Sequence, residues 1–149
     1  MDTDGFLWFQ DRQKEMIKYK GQVNLVDQAD PSIYTLFFFR NLIAPAELEN
    51  ALSAPPDVLE AAVCGYFDES QQTDLPVGYA KLRDTVDVTD RARVLADIKK
   101  GMDDAVSPVK KLRGRLFYLA KLPKNPTGKI TRAHLPARLE AAKKRAAKL

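Results

Sequence analysis

Apolar residues along this chain fall in short blocks divided by polar or Gly- and Pro-containing stretches, and the block spacing alternates between strand-like and helix-like. Phe6-Leu7-Trp8-Phe9 follows an Asp4-Gly5 turn signal, and Met16-Ile17-Lys18-Tyr19 comes after the polar stretch Gln10 to Glu15; both read as strands. Pro45 to Leu52 reads as a helix. Proline suits its first turn, Glu47 and Glu49 sit near its positive end, and Leu48 and Leu52 are four apart on one face. Ala61–Tyr66 and Val77–Leu82 are strands joined by the polar loop Asp68 to Asp74. Thr89 to Lys100 is an amphipathic helix with Thr89 as its cap, Val94, Leu95 and Ile98 as its buried stripe, and Gly101 as its stop. Leu116–Leu119 is a further strand, Pro123–Lys129 a loop, and Arg132 to Lys148 a mostly helical Ala/Lys-rich segment with Pro136 near its start. Strands interleaved with helices predict a small α/β sandwich, a short sheet with helices packed over it.

Composition narrows the chemistry. The 149 residues are an ordinary single-domain length, and 45% apolar with 30% charged residues is the balance of a globular protein. No apolar run approaches the roughly 20 residues of a membrane span, and Met1 to Gly5 has neither the basic nor the apolar part of a leader peptide. Cys64, the one cysteine, permits no internal disulfide, and its apolar surroundings make it a small buried side chain. One histidine, His134, permits no His-pair metal site. The net charge is +4, with Arg138, Lys143, Lys144, Arg145 and Lys148 concentrated in a basic tail at 138–149. That tail carries no aromatic residue, so it reads as a solvated helix and not as a nucleic-acid site.

Two stretches stand above this background: Asp11-Arg12-Gln13-Lys14-Glu15-Met16-Ile17-Lys18-Tyr19-Lys20-Gly21 and Pro123-Lys124-Asn125-Pro126-Thr127-Gly128-Lys129-Ile130. Alone, Thr127-Gly128-Lys129 is also what a plain surface turn looks like. Together with Ala44-Pro45-Ala46-Glu47-Leu48-Glu49 and Lys110-Lys111-Leu112-Arg113-Gly114, in this order, they closely resemble the C-terminal domain of adenylate-forming enzymes. That superfamily includes acyl-CoA synthetases, 4-coumarate–CoA ligases and beetle luciferase. The resemblance implies an α/β (α+β) fold, a small sheet with flanking helices opened by a β-hairpin. Residues 1–13 would be a remnant of the preceding large domain's last hairpin, and residues 14–149 the C-terminal domain.

What the resemblance implies about function is specific. The chain would be the mobile C-terminal domain of an ATP-dependent carboxylic acid–CoA ligase (AMP-forming). ATP, Mg2+ and CoA would be substrates of the complete enzyme, and none would be bound by this domain alone. Lys129 would be the catalytic lysine that assists adenylation; after Gly128, in a loop pinned by Pro123 and Pro126, it is placed to reach a neighbouring site. Arg12 matches the arginine that contacts the ribose of the adenylate, and Lys14 the hinge about which the domain rotates. Lys18 matches the lysine brought forward for thioester formation, and Gly21 the glycine past which the pantetheine of CoA runs. The required partner is the large N-terminal domain, which holds the phosphate loop and the acid pocket and is absent from this sequence, so the chain alone should be inactive. The alternative is a non-catalytic peroxisomal interaction module, or an inactive fragment.

The sequence departs from the family at 22–40, an atypical insertion between Gly21 and Asn41. It contains Ile33-Tyr34-Thr35-Leu36-Phe37-Phe38-Phe39, apolar and uncharged. Exposed, such a run would be an association site. It translates either a retained intron, since Val23 and Phe37 to Arg40 fit a splice donor, pyrimidine tract and acceptor, or a genuine lid over the CoA channel. The chain ends Ala147-Lys148-Leu149, close to the Ser-Lys-Leu peroxisomal address. A peroxisomal import receptor is therefore a candidate partner, although an Ala/Lys helix would end in the same way.

Overall fold

Two long strands organise the chain. In the computed structural model, which describes residues 16–19, 42–113 and 115–146, Val58–Asp68 (β3) and Thr73–Leu82 (β4) form an antiparallel hairpin. The hairpin is longer than the alternation predicts, and its connection is only the turn at 69–72. Asp68 tightens that turn by accepting from the Ser70 amide and hydroxyl at 2.9 and 2.6 Å, and Gln72 takes a positive φ of 51°. Leu116–Tyr118 (β5) adds parallel to β4, giving the order β3-β4-β5. A separate two-stranded sheet pairs Ile17–Lys18 (β1) antiparallel with Leu42–Ile43 (β2), register Ile17↔Ile43 and Lys18↔Leu42.

Helices cover both faces of the hairpin, as strand alternation requires of a sheet buried on two sides. On one face Ala61 and Val63 join Ile17, Leu48, Leu52, Ile98 and Met102 in the larger core. These come from β1 and from helices Pro45–Ser53 (α1) and Arg91–Ala105 (α2). On the other face Ala62, Cys64, Val77 and Tyr79 pack with Leu122, Leu135 and Ala137 at the start of helix Pro136–Ala146 (α3). The Ala137 amide donates to the Tyr79 hydroxyl at 3.0 Å and fixes α3 to the sheet. Leu48 and Leu52, both fully buried, each contribute about 1.5–3 kcal/mol and seat α1 firmly.

One helix differs from its prediction at both ends. Asp90, not Thr89, precedes α2, and no side chain caps it. Gly101 lies inside the helix, which runs on to Ala105. Tertiary contacts outweigh the glycine's poor propensity. Met102, 3% exposed, is buried in the larger core, and Asp103 accepts the Leu112 amide at 2.8 Å. The C-terminal segment also breaks in two, a 3-10 turn Arg132–His134 preceding α3, which starts at Pro136 as proline's lack of an N–H favours. The expected strand Phe6–Phe9, the boundary at 1–13 and the insertion at 22–40 lie outside the described residues.

Candidate functional site

The loop that carries Lys129 is closed by backbone and side-chain bonds that its sequence dictates. Lys124 and Ile130 form an antiparallel bridge, and the Thr131 amide donates to the Pro123 carbonyl at 2.8 Å. Inside it the Gly128 amide donates to the Asn125 carbonyl at 2.9 Å, a β-turn with Pro126 at its second position. The Asn125 side-chain oxygen accepts from the Thr127 hydroxyl at 2.7 Å and from the Lys129 amide at 2.9 Å. Gly128 has φ +83°, the left-handed conformation that glycine adopts without strain. The Lys129 backbone is thus held on both sides, while its side chain is exposed.

The loop's two ends are tied to the body. At entry Lys124 pairs with Glu60 of β3. At exit Arg132 donates Nε and an Nη to the two oxygens of Glu49, on α1, at 2.9 and 2.7 Å. Glu49 Oε1 also accepts the Val63 amide at 2.9 Å, on the edge of β3 away from β4. In the sequence Glu49 shows only as a helix-start acid, and Arg132 carries no signal of its own. No local pattern connects two residues 83 positions apart.

Lys18 sits elsewhere. Its carbonyl accepts the Thr73 hydroxyl at 3.1 Å, at the turn end of the β3–β4 hairpin, where Asp68 pairs with Thr73. Its side chain is exposed, and the neighbouring Tyr19, 4% exposed, lies under the Arg113 guanidinium at 5.2 Å. Among the described residues neither the Lys18 nor the Lys129 ammonium has a carboxylate partner. Glu60, beside the Lys129 loop, is eight residues along β3 from Asp68, so the two loops stand roughly 26 Å apart along the strand at about 3.3 Å per residue. Their apolar neighbours also belong to different core clusters. Ile17 of β1 lies in the larger core with Ala61 and Val63, whereas Ile130 packs with the Ala62–Cys64 cluster.

Lys110 of the third motif pairs with Glu47 at 2.6 Å, linking the segment before β5 to the first turn of α1. Cys64 is 2% exposed and burial pushes its thiol up to about 11, which makes it unreactive. Among the described residues no group of three or more His, Cys, Asp or Glu side chains is placed to hold a metal ion, and no helix is long and apolar enough to cross a membrane. Arg12, Lys14 and Gly21 lie outside the described residues.

Residues 47–129, more than half of the chain, match the family described as AMP-binding enzyme C-terminal domain. The chain belongs to that family. Rice 4-coumarate–CoA ligase-like 5 is 34% identical over 134 residues, covering 90% of this chain and 20% of the relative. Petunia 4-coumarate:CoA ligase 1 is 34% identical over 141 residues, covering 95% and 21%. Peroxisomal OPC-8:0-CoA ligase 1 of Arabidopsis thaliana is 32% identical over 135 residues, covering 91% and 20%. This AMP-binding enzyme C-terminal domain thus spans about a fifth of the length of these relatives. Among solved structures, the anthranilate CoA ligase AuaEII in complex with anthranoyl-AMP matches with TM-score 0.68 and 26% identity, over 100% of this chain and 24% of that one. The o-succinylbenzoate CoA synthetase of Bacillus subtilis, in complex with its acyl-adenylate, matches with TM-score 0.66 and 25% identity, over 91% and 22%. The mixed α/β architecture is the one shared with these C-terminal domains.

Proposed function

We propose that this domain is the mobile part of an ATP-dependent acid–CoA ligase, and that it offers Lys129 and Lys18 in turn to one active site on a large N-terminal domain. The observation that carries the reading is the mounting of the two exposed lysines beside opposite ends of one long hairpin. A body so built cannot bring both ammonium groups to the same point without turning, and a large rotation at a short hinge supplies the turn. Lys14 is our hinge residue.

In the first half-reaction a carboxylate oxygen attacks the α-phosphorus of ATP and pyrophosphate leaves. Negative charge gathers on the phosphoryl oxygens, and the Lys129 ammonium, with ATP-bound Mg2+, offsets it. Arg12 would contact the adenylate ribose. In the second, the CoA sulfur attacks the acyl carbonyl and AMP leaves, with Lys18 beside the site and Gly21 allowing the pantetheine to pass. The phosphate loop and acid pocket lie in the partner domain, so the chain alone completes no turnover.

The test fuses this chain to the large domain of a 4-coumarate–CoA ligase. Lys129→Ala should lower acid-dependent ATP–pyrophosphate exchange about 10²–10³-fold, the loss of one transition-state donor, and spare thioester formation from supplied acyl-adenylate. Lys18→Ala should do the reverse. Loss of the same half-reaction in both variants sinks the alternation.

A further inference from the structure

Lys129 is held by its loop, but a loop is only as well placed as its attachment. At entry Leu122 anchors the chain in the second core, and the one polar tie, Lys124–Glu60, is a partly exposed pair of two flexible side chains, 39% and 29% accessible. Such pairs fix little. The exit attachment is different in kind. Arg132 follows Lys129 by three residues, and its planar fork meets Glu49 with two bonds of 2.9 and 2.7 Å. Its side chain is 20% accessible and that of Glu49 15%. Glu49 is itself bound to the Val63 amide and stands next to fully buried Leu48 on α1. The adenylation loop is thereby clamped to α1, which buried Leu48 and Leu52 seat in the core, and to the edge of the central hairpin at one carboxylate.

We infer that Glu49 and Arg132 are positioning residues for Lys129, setting where its ammonium arrives in the adenylation step and having no part in thioester formation. The inference rests on the reading of Lys129 given above. Arg132→Lys keeps the charge and loses the fork, and Glu49→Gln keeps an acceptor for the Val63 amide and loses the ion pair. Neither needs to unfold the domain. A misplacement of about 1 Å at a reacting group costs on the order of 10²-fold in rate.

Two measurements test it. In the 149-residue chain, hydrogen exchange followed by NMR should quicken at least about tenfold at the Lys129 amide in Arg132→Lys. The Cys64 amide, inside the β3–β4 pairing, should stay unchanged. In the fusion with a 4-coumarate–CoA ligase large domain, Arg132→Lys and Glu49→Gln should lower kcat for pyrophosphate exchange about 10–100-fold with KM for ATP little changed. Thioester formation from supplied adenylate should stay within about twofold, and Arg132→Lys should add no further loss to Lys129→Ala. Glu60→Gln, at the weaker attachment, should be nearly silent. If Lys129→Ala leaves exchange intact, the role of Lys129 falls and this proposal with it. If Lys129→Ala abolishes exchange while Arg132→Lys changes neither exchange nor the Lys129 amide, the positioning proposal alone falls. Equal loss of both half-reactions in Arg132→Lys would make the pair merely structural and overturn it as well.

Discussion

The Thr73 hydroxyl donates to the Lys18 carbonyl across 55 residues of sequence, at 3.1 Å, and joins the small β1–β2 sheet to the turn of the long hairpin. Thr73 is 3% exposed, so the bond is made in a site with little water. Thr73→Val preserves shape and deletes the donor. It should cost about 0.5–1.5 kcal/mol, or roughly 2–4 °C in Tm per kcal/mol at this length. In the fusion it should weaken the thioester step and leave pyrophosphate exchange as it was. A variant that melts like the parent would show the bond to be idle.

Two glycines should respond in opposite directions. Gly101 lies inside α2 without a positive φ, and beyond its chain neighbours and the helix's own backbone no atom stands within 4 Å of the place an alanine methyl would take. Gly101→Ala should therefore stabilise by about 0.5–1 kcal/mol. Gly128 is equally uncrowded but has φ +83°. There alanine meets backbone strain alone, about 1–2 kcal/mol. Thermal melts by circular dichroism should place the first variant above the parent and the second below it.

Alkaline stability has a named source. Burial raises the Cys64 thiol from 9.0 to about 11 and also raises the Tyr79 phenol. Above pH 9 an unfolded chain loses the thiol proton that the folded chain retains. The contribution is therefore fully present below pH 9 and drains away as pH climbs toward 11. Urea melts of Cys64→Ala should fall less steeply than the parent between pH 8.5 and pH 10.5, with Tyr79 accounting for part of the remainder. Parallel curves for the two would remove Cys64 from the explanation.

Most of this architecture is legible in the sequence because its strongest signals are local. Pro45 with Leu48 and Leu52 announces α1, alternation announces β3 and β4, and Asn125-Pro126-Thr127-Gly128 is turn chemistry written in order. Gly101 misled because propensity is a weak force beside the burial of Met102. Lys18 and Lys129 were named from motifs, but their separation along the hairpin was not legible, since it depends on Thr73 and Glu60 as anchoring points. The Glu49–Arg132 clamp was hidden for the same reason. Ion pairs between distant segments leave no periodicity.

The Ala147-Lys148-Leu149 ending carries its own expectation. A fluorescent protein bearing residues 138–149 should enter peroxisomes, and removal of Leu149 should leave it diffuse in the cytosol. Diffuse signal from the intact tail would reduce the three residues to the end of a helix.

Excision of Gln22 to Arg40 should leave a domain that is no less folded and more soluble. Lys18 and Leu42 are directly paired in the β1–β2 ladder, so the chain leaves and re-enters at neighbouring points. After excision, Tyr19, Lys20, Gly21 and Asn41 would connect that pair, and a four-residue hairpin loop with glycine and asparagine is an ordinary connection. Shortening the connection between two paired strands changes closure entropy in the favourable direction, by about 0.6 kcal/mol per halving. The run Ile33 to Phe39 would go with it, and with it an association site if that run faces water. If those side chains are instead packed, each large one removed costs about 1.5–3 kcal/mol, against a total stability of only about 5–15 kcal/mol. Thermal melts and light scattering of the two forms separate these cases. An equal or higher Tm with less scattering supports excision, and a Tm lower by about ten degrees would make the insertion part of the fold.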